Sequence, residues 1–180
     1  MKTGLNHVII GILSSVYCCV KSEFKGVSLS MNSIWSDYKE ELIEKEYLEA
    51  EEIFIAVFSE AYKHTTQNAK LFTDLYNWYT CGIEDGMYQF FEFEYRTVDS
   101  LSDLGKVIQK YLGVIAYGCF QKCVTELMPL VYSDSPDSAA IDEISESMNV
   151  YFKENEKALL HGIKNYLLEE GDKIAEEIGW

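Results

Sequence analysis

The sequence predicts an all-α fold, organised as a single-domain irregular bundle of about six to eight helices. From Ser33 onward, apolar side chains recur every three to five residues, which is the period of an amphipathic helix. The chain has only 2 prolines in 180 residues, so long helices meet few interruptions. With 48% hydrophobic residues, it can also bury a sizeable core.

The first thirty residues differ from the rest and are predicted to lie outside the helical domain. Residues 5–20 are mostly apolar and resemble a weak signal peptide, but they are too short for a comfortable membrane span of about 20 residues. Alternatively, Lys25-Gly26-Val27 can be encoded by a ribosome-binding sequence, which would make Met31 the true start. We therefore divide the chain into a leader, residues 1–30, and an acidic all-helical domain, residues 31–180.

The first part of the domain is predicted to form two helices. Apolar residues repeat with helical spacing over residues 38–61, and the longer step from Leu42 to Tyr47 predicts a kink. Residues 65–68 then provide a connector with capping side chains. The second helix is expected to run to about Glu84.

A turn and a capped helix are predicted next. Asp85-Gly86 is a turn signal, and residues 87–94 are expected to form a short helix. The aromatic side chains of this segment also suit a strand, but no partner strand is evident. Ser100 and Asp103 match a capping box and predict the start of a further helix there.

The remaining elements are predicted from apolar runs and breakers. Residues 114–131 are strongly apolar, which predicts a buried helix. Ser135 followed by Pro136 predicts a new N-terminus, because proline is favoured at the first helical position. One or two helices should follow until Gly171 breaks them, leaving a last turn or two over residues 172–178.

Charge is the strongest compositional signal for function. The chain has 30 acidic and 15 basic residues, for a formal net charge of −15. Such a chain repels nucleic acids and anionic membranes, since both are polyanions, and it attracts basic proteins. We therefore expect no direct binding of nucleic acid, and no membrane association unless the leader is retained.

Acidic side chains are concentrated in three rows with helical spacing. Carboxylates three or four positions apart on a helix lie about 5–6 Å apart. That spacing is comparable to the repeat of phosphates along a DNA strand, about 3.4 Å of axis per charge. The rows can therefore form a DNA-like surface for a basic partner, although a solvated helix face has the same pattern. The rows are Asp37, Glu40, Glu41 and Glu44; Asp134, Asp137, Asp142, Glu143 and Glu146; and Glu169, Glu170, Asp172, Glu176 and Glu177.

Signatures of catalysis are missing from the sequence. It has no nucleophile elbow, no glycine-rich phosphate loop and no zinc-protease motif. Cys119 and Cys123 lie one helical turn apart but have no second pair of ligands nearby. We therefore expect no catalytic residue, no metal and no cofactor. The alternative is a helical enzyme or small-ligand-binding protein with a pocket near Glu84, Tyr88 and Tyr95.

Residues 78–120 carry a family resemblance. The run Glu84-Asp85-Gly86-Met87-Tyr88-Gln89-Phe90-Phe91, with Leu112-Gly113 further on, resembles the bacterial DNA-mimic protein family built on a domain of unknown function. The resemblance implies a small, acidic, mostly helical protein. It also implies a structural motif made of Asp85, Gly86, Gln89, Phe90 and Phe91, with Gly86 permitting the turn, a phenylalanine in the core and Gln89 hydrogen-bonded to neighbouring backbone.

Charge and resemblance together give our expectation for function. Well-known members of that family are similar to DNA in surface charge and bind a DNA-binding protein, blocking its access to DNA. The sequence thus predicts a cytoplasmic, non-enzymatic protein that inhibits a DNA-binding protein or nuclease through protein–protein contact. Export is the alternative location if residues 1–30 act as a signal, and a dimer is left open as the oligomeric state.

Overall fold

The computed structural model describes residues 33–92 and 96–180, and all regular secondary structure in these ranges is helical. This confirms the predicted all-α class, with six helices of ten or more residues. The leader, Met31 and Tyr95 lie outside the described residues. In chain order the helices are α1 Ser33–Glu44, α2 Glu51–Ala61, α3 Gln67–Thr80, α4 Gln89–Glu92, α5 Val98–Val107, α6 Gly113–Lys122, α7 Met128–Val131 and α8 Ser138–Ile178.

Three π-helical turns continue these helices. Cys81–Asp85 extends α3, Ile108–Leu112 extends α5, and Cys123–Leu127 joins α6 to α7. The second predicted helix therefore ends close to Glu84, as expected. The predicted kink between Leu42 and Tyr47 is a complete break, because α1 ends at Glu44 and α2 begins at Glu51.

Helix α8 is the element on which α1, α2 and α3 pack. Its 41 residues would span about 60 Å at the usual helical rise. The prediction that Gly171 breaks this segment was wrong, since α8 passes through it. A Cβ at Gly171 would lie 2.0 Å from the Trp35 ring, so this glycine makes room for a side chain of α1. The glycine thus serves packing between helices and not termination.

Two helix starts differ from prediction. The N-cap of α5 is Thr97, whose hydroxyl accepts a hydrogen bond from the Ser100 backbone at 3.3 Å. Helix α8 is capped by Asp137, whose carboxylate accepts from the two backbone N–H groups at the helix start, at 3.1 and 3.2 Å. The capping box at Ser100 and the cap at Ser135 were therefore wrong by two to three residues, because a competent side chain lay nearer the helix that forms.

Helix α6 is less buried than its composition predicts. Val114 and Ile115 are 73% and 69% exposed, whereas Ala116 and Phe120, one turn apart, face the core. The prediction of a buried helix over residues 114–131 was therefore wrong for its first turn. Apolar character alone cannot tell which face of such a helix finds a neighbour.

The predicted motif holds the chain where α3 ends. Gly86 has φ 90°, a conformation that side-chain-bearing residues rarely adopt, so a glycine suits this turn. Phe90 and Phe91 are both buried and pack edge to face with ring centroids 5.1 Å apart, which confirms their place in the core. The amide nitrogen of Gln89 lies 3.5 Å from the Tyr88 hydroxyl, while its expected bond to backbone stays a prediction.

A buried ion pair fastens the segment that follows the motif. The Arg96 Nη1 donates to the Asp74 Oδ1 at 2.5 Å, and the two side chains are 2% and 8% exposed. Arg96 Nε also donates to the Phe90 carbonyl at 2.8 Å, and its guanidinium carbon lies 3.8 Å from the centre of the Phe90 ring. Arg96 therefore ties α3 to the backbone after α4, a role that the sequence did not predict.

Candidate functional site

The row on α1 is open to solvent. Asp37, Glu40, Glu41 and Glu44 are all exposed, and Leu42 faces the core between them. Glu41 pairs with Lys45 on the same face at 2.7 Å. The other three carboxylates make no ion pair or hydrogen bond within the described residues. Helix α1 therefore presents three uncompensated negative charges at helical spacing.

A second open row covers the start of α8. Its five acids are exposed, and Asp137 additionally caps the helix. The negative charge of a cap is stabilised by the positive end of the helix dipole. The other four have no ion-pair partner in the described part of the chain. This row comprises Asp134, Asp137, Asp142, Glu143 and Glu146.

Most acids of the third row, at the end of α8, already have partners. Glu169 pairs with Lys110, and Glu170 pairs with Lys173 at 2.6 Å. The Lys110 ammonium lowers the pKa of the Glu169 carboxyl. A partner-binding role for this row stays a prediction, but these charges are compensated by neighbours.

Asp172 of the same row joins α8 to α1. Its carboxylate accepts hydrogen bonds from Lys39 Nζ and from Trp35 Nε1, each at 2.7 Å. The hydrogen bond from Lys39 has the largest effect on the pKa of Asp172 and lowers it, and the hydrogen bond from Trp35 lowers it further. Asp172 thus positions the Trp35 ring that packs on α8.

Glu177 caps a helix that lies more than a hundred residues earlier in the sequence. Its Oε2 accepts from the backbone N–H groups of Asn68 and Ala69, at 2.9 and 2.8 Å, at the start of α3. Burial alone would raise the pKa of Glu177, but hydrogen bonds from Ala69, Thr66 and Asn68 bring it below its ordinary value. The prediction that side chains in residues 65–68 cap this helix was therefore wrong: the N-cap Thr66 makes no capping hydrogen bond, and an acid from α8 accepts from the free N–H groups instead. Of the third row, only Glu176 has no partner among the described residues.

The alternative pocket is not gathered around Glu84 and Tyr88. Glu84 is exposed and Tyr88 is half-buried. The two best-formed hollows of the described residues hold about 270 and 210 Å³, and neither is lined by Glu84 or Tyr88. Both are below the range of about 300–1,000 Å³ that is usual for ligand pockets. The enzyme alternative, whose third named residue Tyr95 lies outside the described residues, therefore stays a prediction.

Glu84 does take part in another arrangement, which we call the carboxylate–tyrosine cluster: Glu51, Glu84, Glu156, Tyr76 and Tyr79. Two contacts between elements position it. The Tyr76 ring lies 6.4 Å from the Phe54 ring, one turn after Glu51 on α2. The Phe152 ring packs directly on Gly82, two residues before Glu84. Glu156 follows Phe152 by one turn of α8, so the three carboxylates come from three elements that meet.

Electrostatics within the cluster are unfavourable. Burial raises the pKa of Glu51, and the charges of Glu156 and Glu84 raise it further. Burial, followed by the charges of Glu51 and Glu84, raises the pKa of Tyr76. Burial, followed by the charge of Glu156 and then that of Glu51, raises the pKa of Tyr79. The pKa of Glu51 is higher in the folded state than in the unfolded state. The stability that Glu51 contributes is therefore fully present at low pH, and it is lost as the pH rises through the folded-state pKa.

Comparisons with protein-family models, with curated proteins and with solved structures gave no match. The resemblance to the DNA-mimic family therefore stays a prediction that depends on the residues quoted for it. The candidate site has to be judged by its geometry and charge.

Metal binding finds no support in the geometry either. Within residues 33–92 and 96–180, no group of three or more His, Cys, Asp or Glu side chains could hold a metal ion. Cys119 and Cys123 are free thiols, and burial raises the pKa of Cys119. Among the described helices, none is long and apolar enough to cross a membrane.

Sequence reasoning missed both charged features that depend on tertiary contact. Asp74 and Arg96 were not singled out, although an arginine in an aromatic run is a signal for a cation–π contact. Neither Glu51 nor Glu156 was singled out as a candidate. The spacing of Tyr76 and Tyr79 places both rings on one face of α3, and this was the signal for the cluster.

A substitution on α8 that removes one negative charge should change the pKa of Glu51. In Glu156→Gln, we expect the pKa of Glu51 to fall toward its ordinary value, because the nearby negative charge is removed while burial remains. Carboxyl-carbon NMR over a pH series measures this directly. Glu154→Gln, two residues away on the same helix but exposed, has the same change in net charge and should leave Glu51 nearly unaltered. Equal shifts in both variants would show that Glu51 responds only to overall charge.

Proposed function

We propose that this chain is a non-enzymatic acidic binding protein that mimics DNA and occupies the basic surface of a DNA-binding protein or nuclease. The observation that carries the proposal is the set of exposed, uncompensated carboxylates on α1, supported by the row at the start of α8. Rows of like charge cost some tenths of a kcal/mol for each neighbouring pair. A basic partner relieves that repulsion, and its contact with the rows is favourable over long distances.

The location follows from the same role. A protein that competes with DNA for a basic surface acts where its partner meets DNA, which places it in the cytoplasm of the bacterial cell. Blocking that surface makes the chain an inhibitor, including the case of immunity against a basic toxin. The low volume of the hollows favours this role over the ligand-binding alternative.

The experiment is capture of partners on the immobilised full chain from a lysate of the source cell, followed by elution with duplex DNA. We expect the captured protein to be displaced by DNA, since both compete for one basic surface. The test variant combines Asp37→Asn, Glu40→Gln and Glu44→Gln. Exposed ion pairs contribute about 0.2–1 kcal/mol each, so capture should weaken about tenfold.

A control variant separates the row from overall charge. Glu92→Gln, Glu126→Gln and Glu154→Gln remove the same number of charges from exposed positions outside the three rows. Capture by this variant should remain close to that of the unaltered chain. Displacement by salt but not by DNA, or equal weakening in both variants, would refute the proposed mimicry by α1.

A further inference from the structure

The carboxylate–tyrosine cluster carries negative charge with no internal counter-charge. Glu51 and Glu156 are half-buried, and Glu84 is exposed beside them. None of the three makes an ion pair or hydrogen bond within residues 33–92 and 96–180. Partly buried carboxylates without a counter-charge are rare in folded proteins, because desolvation is compensated elsewhere by a cation.

The two tyrosines give an independent sign of a ligand. Tyr76 and Tyr79 are only 5% and 3% exposed, yet neither hydroxyl has a hydrogen-bond partner in the described chain. Both hydroxyl oxygens still reach the surface beside the carboxylates, because neither is a fully enclosed polar atom. Tyrosine hydroxyl groups in such positions usually find a partner, and here they are available for one.

The chemistry of the possible cations decides which one suits the cluster. The carboxylates do not form a group that could hold a metal ion. A guanidinium group is wider and planar, and it carries five N–H donors in a fixed arrangement. It can donate to several separated carboxylates and hydroxyl oxygens at once. An ammonium group has three donors and is more strongly hydrated.

We infer that the carboxylate–tyrosine cluster is the anchor for one arginine side chain of the basic partner. The inference rests on the proposed function, because it names the group by which that partner is held. Glu51, Glu84 and Glu156 accept hydrogen bonds from the guanidinium, and Tyr76 and Tyr79 supply hydroxyl oxygens. The acid rows attract the partner from a distance, and the cluster selects arginine at short range.

The test uses three short peptides and the full chain. The peptides are acetyl-Gly-Arg-Gly-amide, its lysine equivalent, and its citrulline equivalent, which keeps the shape of arginine without the charge. NMR follows the ring signals of Tyr76 and Tyr79 and the carboxyl signal of Glu51. We expect the arginine peptide to shift these signals, the lysine peptide to bind several-fold more weakly, and the citrulline peptide to leave them unchanged.

Two variants test the assigned residues. Glu51→Gln and Glu156→Gln should each weaken the arginine peptide about tenfold, as expected for loss of a charge-assisted hydrogen bond. Glu154→Gln is the matched control and should bind as the unaltered chain does. Equal affinity for the arginine and lysine peptides, or shifts spread evenly over the acid rows, would overturn the inference.

The arginine anchor and the proposed DNA mimicry can fail separately, and the two experiments distinguish these outcomes. Capture and displacement by DNA, with no arginine-specific shifts at the cluster, would reject the anchor and keep DNA mimicry. Arginine-specific shifts at the cluster, with no partner that DNA displaces, would support the anchor and reject DNA mimicry.

Discussion

Replacing Asp74 by alanine should lower the free energy of unfolding by about 3–5 kcal/mol, because it leaves the Arg96 guanidinium buried without its carboxylate. Arg96 is 2% exposed at its side chain and also donates to the Phe90 carbonyl, so it cannot easily turn out to solvent. Urea unfolding followed by circular dichroism gives the value. The matched control is Asp103→Ala, which breaks the exposed 2.8 Å pair with Lys106 and should cost less than about 1 kcal/mol.

A double-mutant cycle separates the pair from its surroundings. Arg96→Ala should also be strongly destabilising, and the double variant should cost much less than the sum of the two single changes. Additive costs would show that Asp74 and Arg96 do not stabilise each other. A loss below about 1 kcal/mol for Asp74→Ala would contradict the structural role assigned to this pair.

The second large effect is expected at the crossing of α8 with the turn Ile108–Leu112. A Cβ at Gly162 would lie 2.5 Å from the backbone oxygen of Tyr111, and backbone gives way less readily than a side-chain tip. Gly162→Val should therefore destabilise the fold by about 1–3 kcal/mol or more, as overpacking does. Thermal unfolding followed by calorimetry measures the loss.

Gly118→Val is the matched control for that change. Gly118 is exposed on α6, and nothing lies within 4 Å of a Cβ placed there. Valine is a better helix former than glycine, so this variant should be neutral or slightly stabilising. Similar losses in both variants would mean that valine itself is poorly tolerated in these helices and that the close approach at Gly162 is not the cause.

Local patterns predicted the fold class and the end of α3 because they depend on neighbours in sequence. Helical spacing of apolar residues and the Asp85-Gly86 turn signal both reflect the chain within a few positions. The placement of a phenylalanine of the pair Phe90 and Phe91 in the core came instead from the family resemblance. The break between α1 and α2 was visible as an irregular step, although its size was underestimated.

Features that depend on tertiary contact could not be read from those patterns. Gly171 has the local signature of a helix end, but the Trp35 ring that packs on it comes from the other end of the domain. Glu177 belongs to a row of acids by spacing, yet its carboxylate caps α3. The partners of Glu169, Asp172 and Glu177 lie on elements distant in the sequence, so spacing alone cannot show that these acids are paired. The sequence gives the positions of the acidic residues, and the fold determines which of them are paired, which cap a helix and which stay open.

The central claim is that the open acid rows contact a basic protein in place of DNA. The most direct measurement is the affinity of the captured partner over a series of salt concentrations, for the unaltered chain and for the variant Asp37→Asn, Glu40→Gln, Glu44→Gln. We predict that affinity falls steeply with salt for the unaltered chain, and that the slope is clearly smaller for the variant. An affinity that is indifferent to salt, or an unchanged slope in the variant, would contradict the account.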